Sequence, residues 1–410
     1  MKRKVLIISQ VFWPDTSSVA QHLSDLAEEI VFKGYEVGVL TSSHAYENKK
    51  IFYPNSEYHK GIHIKRLRHT SFGKKSKIGR VIDFLSFNVL IFCKLILLKT
   101  RSYDLVIGLT VPPLLSFFGI ITSKIKKMKF LYWAMDLQPE LSIAAGYFKK
   151  NSLISKMLIL LGNYIFQHAD LIITLDKYMA EHIRQKRTAE NNIKIIPVWP
   201  VMDEVYEGDK LKNPFRLQYK FGNKKVIMYS GNHSVMHPLD TLLNAALKLK
   251  DDSRFLFVFI GGGIREQDVF KFKMNHDLNN IIQLPYQPRN KIHQSLGSAD
   301  IHAVIQGKGC KGLTHSNKIY GAMYIGCLIL YIGPKATHIT DILDNCPGNI
   351  TVEHGQTDLL IKKLYSFADL ESDSLDIIGK RNSEYVKKNF IRHKLLNRIT
   401  SEIELLLCNT

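Results

Sequence analysis

The chain reads as an α/β protein made of two doubly wound, Rossmann-like domains, and three observations carry that reading. Short β-prone apolar runs alternate with segments of helical period along most of its 410 residues. The internal order occurs twice: His168-Ala169-Asp170 introduces a strand in the first half, and Ser298-Ala299-Asp300 introduces one in the second. Polar and proline residues collect from Trp199-Pro200 to Asn213-Pro214, which marks a boundary between two similar halves. The expected division is an N-terminal domain over 1–203, a C-terminal domain over 204–385, and a final helix over 386–410 packing back on the first domain.

Each element has its own signal. Residues 5–9 follow Met1-Lys-Arg-Lys and are too short an apolar run for a signal sequence, so they read as the first buried strand. A helix follows over 19–33, with Leu23, Leu26, Ala27 and Ile30 on one face and Gly34 just past its end. Further strands are predicted at 37–41, 62–67, 105–108, 130–134, 171–175 and 193–197, with an irregular insertion over 44–61. In the second half, strands are predicted at 226–229, 255–260, 281–284, 301–305 and 327–332. Helices are predicted from Pro238 onward, over 291–296 ended by Gly297, from near Asn317 to Gly326, and over 386–407.

The apolar stretches 84–98 and 105–121 are interrupted by Asn88 and Lys94 and by Pro112-Pro113, so neither reads as a membrane span. They read as a buried helix and as a strand, loop and helix. Lys74, Lys75, Lys77 and Arg80 precede the first; Lys99 and Arg101, then Lys124, Lys126, Lys127 and Lys129, follow. Apolar helix surface rimmed by bases suits an anionic bilayer, while a solvated charged face is the plainer alternative. The net charge of +19 calls for an anionic partner: nucleic acid, an acidic membrane face or phosphorylated substrates. The positive charge is scattered and no aromatic-basic RNA motif occurs, which disfavours nucleic acid. Cys93, Cys310, Cys327, Cys346 and Cys408 share no C-x-x-C spacing, so neither a zinc site nor a redox pair is expected, and scattered thiols fit a reducing cytosol.

Two constellations carry chemistry. Val226-Ile-Met-Tyr-Ser-Gly-Asn-His runs from an apolar strand into a glycine turn and on to Pro238, the geometry that aims backbone N–H groups and a helix end at an anion. Gly231 allows close approach, and Asn232, His233 and His237 are donors in the same loop. In the second, His315, Ser316, Asn317 and Lys318 lie at another helix start. The bland alternatives are a strand-to-helix corner, an N-cap serine and a surface lysine. Arg289, in the loop Pro285-Tyr-Gln-Pro-Arg-Asn290, adds a base or phosphate contact or is a surface arginine.

These pieces, with Leu-Asp-Thr-Leu-Leu at 239–243, Gly-Gly-Gly at 261–263 and Ser-Asn-Lys-Ile-Tyr-Gly-Ala-Met at 316–323, resemble a family 4 glycosyltransferase of the GT-B type, most similar to the colanic-acid and O-antigen branch. The resemblance implies two Rossmann-like domains facing across a cleft, the second binding a nucleotide-sugar and the first the acceptor. It also implies retaining transfer of a hexosyl or acetamidosugar group, from a UDP-linked donor, with neither a bound metal nor a cofactor. Relatives carry arginine and lysine where this chain has Asn232 and His237, and a glutamate pair where it has Leu313 and Gly321. Lys318 and His315 are then expected to take over the diphosphate. Ser17 and Ser18 lie where relatives have a glycine-rich loop near that diphosphate. In Tyr132-Trp-Ala-Met-Asp-Leu-Gln-Pro-Glu140, Asp136 is the candidate for accepting or orienting the acceptor proton, with Glu140 second and a helix-capping aspartate as the alternative. A lipid-linked or glycan acceptor, surface-glycan synthesis and a peripheral place on the cytoplasmic membrane face complete the expectation. A sugar-nucleotide 2-epimerase on the same fold is the competing reading.

Overall fold

The computed structural model describes residues 2–45, 51–72, 77–112, 114–187, 192–202 and 204–408. Two units are present: Met1–Val198 with Gly312–His315 and Arg392–Thr410, and Trp199–Lys311 with Ser316–Ile391.

The first unit contains β1 (Lys4–Ile8), α1 (Ser18–Phe32), β2 (Glu36–Ser42), β3 (Ser56–His59), β4 (Ile62–Leu67), α2 (Lys77–Ile96), β5 (Leu105–Leu109), α3 (Leu115–Lys126), β6 (Lys129–Ala134), α4 (Glu140–Ala144), α5 (Leu153–His168), β7 (Leu171–Thr174), α6 (Lys177–Arg184) and β8 (Ile193–Ile195). Its sheet runs β3-β4-β2-β1-β5-β6-β7-β8, parallel except for β3 against β4. β1, β5 and β7 are buried along nearly their whole length, as both-face coverage by helices requires. α2, α3 and α5 form a layer in which α3 lies in the middle, its Phe118 ring 5.1 Å from Phe92 of α2 and its Phe117 ring 5.3 Å from Tyr164 of α5.

The second unit contains α7 (Pro214–Gln218), β9 (Lys225–Ser230), α8 (Asp240–Lys248), β10 (Phe255–Ile260), α9 (Glu266–Asn275), β11 (Ile281–Leu284), α10 (Ile292–Gly297), β12 (Ile301–Ile305), α11 (Lys318–Tyr324), β13 (Leu328–Ile332), α12 (His338–Asp344), β14 (Ile350–Val352), α13 (Thr357–Ala368) and α14 (Ser372–Asn389). The last helix, α15 (Arg392–Cys408), lies in the first unit, where it packs on α1. The second sheet runs β11-β10-β9-β12-β13-β14, all parallel. Its strands alternate strictly: Phe255, Phe257 and Phe259 pack in one core with Ile227 and Tyr229, and Leu256, Val258 and Ile260 in another with Val226 and Met228. The order reverses between β9 and β12, and ligands of such sheets bind beyond the carboxyl ends at that reversal.

Four expectations need correction. The insertion over 44–61 contains β3, paired on β4. The second unit's first long helix starts at Asp240, two residues beyond Pro238, so the chain from 231 to 239 is a loop. Gly297 is the last residue of α10 and not a stop beyond it. The single helix predicted over 386–407 is two, α14 and α15, broken where Phe390 leaves helical geometry and packs on Tyr320 at 4.7 Å between ring centroids. Periodicity also passed over α4, α5 and α6. Lys74 and Lys75, and the side chains of Lys77 and Arg80, lie outside the described residues.

Candidate active site

The donor constellation forms in the second unit, on the two strands flanking the reversal. β9 ends at Ser230 and Gly231 follows with φ +139°, a conformation open to glycine. Beyond β12, α11 opens with Lys318, whose aliphatic chain lies over Gly231: a Cβ at Gly231 would overlap Lys318 Cε, with Nζ 3.3 Å away. Lys318 Nζ lies 5.6 Å from the centroid of the buried Tyr229 ring and 3.5 Å from His237 Nε2. His237 Nδ1 is 2.8 Å from Ser234 Oγ. The ring thus donates through Nδ1 and turns an unprotonated Nε2 to the ammonium. Burial, with the Lys318 charge beside it, holds the His237 pKa well below the ordinary value, so the positive charge sits on Lys318. Lys318 thus sets an ammonium beside position 237, where the family pattern has a lysine.

The neighbouring glycines explain how this corner closes. Gly261 (φ +130°) and Gly263 (φ +139°) end β10, and side chains there would strike the Gly231 carbonyl and Asn232 Oδ1. Tyr286 covers Gly261 and Gly262, its hydroxyl 3.2 Å from the Gly262 carbonyl. Gly231 N–H donates to Ile260 O and His233 N–H to Gly262 O, both at 2.8 Å. These amides are therefore spent on the adjacent loop, which corrects the expectation that they face an anion. α8 also has Asp240 in its first turn, an acid at the helix end expected to hold a phosphate.

Other donor candidates divide. His233 is fully buried with both ring nitrogens lacking a protein partner, and burial lowers its pKa to about 4. It is a neutral core residue beside Tyr229 and Phe259, and not a loop donor. Asn232 lies over Gly263. Ser316 N–H donates to His338 Nε2 at 3.2 Å, and Asn317 is the N-cap position of α11, its carbonyl accepting from Tyr320 N–H at 3.2 Å; its side chain makes no capping bond. Arg289 is exposed in the 3-10 turn Arg289–Lys291, 3.5 Å from the Val201 carbonyl, so Tyr286 is the residue of that loop on the glycines. Arg265, which the sequence reading passed over, follows the glycines and pairs with Asp240 and Asp268. The sequence Gly-Gly-Gly-Ile-Arg places it within reach of the turn, the one signal available for it.

The remaining candidates belong to the first unit. Asp136 leaves the carboxyl end of β6 and accepts from Thr314 Oγ1 at 2.7 Å, while Leu137 N–H donates to Leu313 O at 2.7 Å. Pro139, and not Asp136, stands at the N-cap of α4. Glu140 opens α4 and is committed to a half-buried ion pair with Lys186, with His182 Nε2 3.9 Å away. Burial pushes its carboxyl up, but His182 and Lys186 outweigh that and hold it below the ordinary value. A carboxylate already engaged by Lys186, with its pKa held down, is a weak base, which argues against Glu140 as the second candidate for accepting or orienting the acceptor proton. His315 donates from Nδ1 to Asp176 Oδ2 at 2.7 Å, and Asp176 Oδ1 caps α6 through Met179 N–H at 2.9 Å. Asp176 was invisible in the sequence as a partner because 139 residues separate the pair. Ser17 caps α1 through Ala20 N–H at 3.4 Å, and Ser18 Oγ meets His22 Nδ1 at 3.3 Å, so both are occupied by their own helix.

No family model matches the chain. It is 24% identical over 311 residues to the glycosyltransferase WbjE of Pseudomonas aeruginosa, covering 73% of this chain and 76% of that one. It is 20% identical over 421 residues to the colanic acid biosynthesis glycosyl transferase WcaI of Escherichia coli (strain K12), covering 98% and 99%. Among solved structures it resembles Anabaena HepE in complex with UDP and glucose, with a TM-score of 0.73 at 15% identity over 98% of this chain and 99% of that one. Two parallel-sheet Rossmann-like units, a glycine-and-lysine corner at the strand reversal, and similarity over most of the length to such enzymes identify the chain as a glycosyltransferase of the GT-B fold, resembling the colanic-acid branch.

Proposed function

We propose that the protein transfers a hexosyl or acetamidosugar residue, with retention, from a UDP-sugar to a lipid-linked or polysaccharide acceptor in surface-glycan synthesis. The observation that carries this is the Lys318 chain laid over Gly231 at the reversal of the second sheet. Cleaving a sugar–phosphate bond builds negative charge on the leaving diphosphate, and a fixed ammonium beside a neutral His237 meets that charge without a metal or other cofactor. HepE, solved with UDP and glucose, supports uridine as the base. The similarity to WcaI, named for colanic acid biosynthesis, supports a surface glycan.

In the first unit, Asp136 orients or accepts the acceptor proton, its carboxylate aimed by Thr314. Its place at the carboxyl end of β6 is where an α/β sheet binds ligands. The protein works from the cytoplasmic face as a peripheral enzyme; among the described residues no helix is long and apolar enough to cross a membrane. The test is a nucleotide-sugar panel screened by thermal shift, followed by NMR of the product with an isoprenoid-linked acceptor. A product with the donor's anomeric configuration fits; an inverted product, or a preference for a purine nucleotide, does not.

A further inference from the structure

α5 carries apolar side chains on its outer face as well as its inner one. Its sequence, Leu-Ile-Ser-Lys-Met-Leu-Ile-Leu-Leu at 153–161, reads as a core helix, yet across this stretch Ser155 is the residue buried. Ser155 Oγ donates to Lys149 O at 2.7 Å and accepts from the Ser152 cap at 3.0 Å, so Ser155 faces the protein, with Gly162, Ile165 and Phe166 buried further along the same helix. Leu153 is 84% exposed and Leu160 69%, with Ile154 and Met157 between them also exposed. α2, at the other side of the same helix layer, turns Leu85 and Val89 outward at 54% each while Phe87, Ile91 and Leu95 fill its inner face. Ile125, 58% exposed, is in the last turn of α3, the helix between them, and so lies at the opposite end of the layer from these residues. So much outward apolar surface on adjoining helices marks a binding face.

Charge says what binds there. α3 and α5 contain no aspartate or glutamate, and the one in α2, Asp83, is buried. Lys94, Lys99, Lys124, Lys149, Lys150 and Lys156 are exposed on or beside these helices. A second copy on a two-fold axis would set lysine against lysine with no carboxylate to answer it. An anionic bilayer answers both features: its phosphates take the lysines and its acyl boundary takes the leucines.

We propose that the outward faces of α5 and α2 are the surface on which the protein lies on an anionic bilayer, with the first turns of α5 inserted at the headgroup–acyl boundary. In a parallel sheet a helix following a strand starts at the strands' carboxyl edge, so the apolar turns of α2 and α5 lie at the same edge as Asp136. This rests on the proposed function in taking the bilayer as the place where a lipid-linked acceptor is met. The sequence stretches 84–98 and 114–121 hold only part of the surface, and α5 supplies the rest.

The test is co-sedimentation of the full chain with phosphatidylglycerol vesicles, against phosphatidylcholine vesicles, with UDP calorimetry run on every variant. Replacing Leu153, Met157 and Leu160 together by Gln should cut phosphatidylglycerol binding about tenfold or more and leave UDP affinity unchanged. Leu217→Gln, an exposed leucine of the second unit, should change neither. Lys149→Glu with Lys150→Glu should weaken binding, as should high salt. Leu160→Trp should report insertion as a blue-shifted emission with anionic vesicles. Wild type that ignores anionic vesicles, a triple variant that binds like wild type, or a dimer in sedimentation that the triple variant dissolves would overturn the proposal. A wild type that binds vesicles but not UDP leaves this surface standing and sinks the donor reading instead.

Discussion

Lys318 and Gly231 share one space: the lysine's Cε occupies the place where a side chain on Gly231 would begin. The two residues come from opposite sides of the strand reversal, so each fixes the other only in the folded unit. Gly231→Ala therefore displaces the lysine and strains the backbone at φ +139°. UDP affinity should fall about tenfold, or about 1.4 kcal/mol, read by calorimetry on folded protein. An unchanged dissociation constant would show that the lysine's position does not matter to the nucleotide.

Asp136→Asn keeps an oxygen for Thr314 to bond but removes the negative charge. The turnover number with the true acceptor should drop about a hundredfold, while UDP binding stays at the wild-type value. Full turnover would reduce Asp136 to a structural partner of Thr314.

Glu140→Gln leaves the half-buried Lys186 without its counter-charge. Stability should fall by about 1 kcal/mol in urea unfolding, with turnover per folded molecule retained. The folded carboxyl lies below its unfolded value, so this contribution is present at neutral pH and disappears as pH falls through the folded value. A variant as stable as wild type would contradict the ion-pair assignment.

Buried histidines set a second acid dependence. His233 and His302 are both lowered to about 4 by burial, against an ordinary 6.5. The unfolded chain takes up these protons first, so stability is full above pH 6.5 and declines as pH falls toward 4. Each ring contributes up to roughly 3 kcal/mol of that slope. His233→Phe should flatten unfolding free energy against pH over this range; an unaltered slope would mean His233 is protonated in the folded protein.

Much of the fold was legible because the signals were local. Asp170 and Asp300, recognised only as an echo, do the same work in the two units: each carboxylate accepts the backbone N–H of the second residue of the neighbouring strand, Phe130 and Val226, at 2.8 Å. Lys318 was legible as a cation before a helix, but its resting place over Gly231 was not, because that follows from strand order. The loss of the Gly231 and His233 amides as donors depends on the parallel register of β9 and β10, which no window of sequence contains. Glu140 and Lys186 are 46 residues apart and meet through tertiary packing alone. α5 was missed for another reason: a run of leucine and isoleucine looks the same whether it faces a core or a surface.

If Lys318 holds the donor's diphosphate, calorimetry of UDP should separate wild type from Lys318→Ala. Wild type should bind UDP, and Lys318→Ala should bind it about ten to a hundred times more weakly, a loss of about 1.4–2.8 kcal/mol, with the same thermal unfolding profile in the absence of nucleotide. Equal affinity of the two proteins for UDP would mean that Lys318 does not hold the diphosphate.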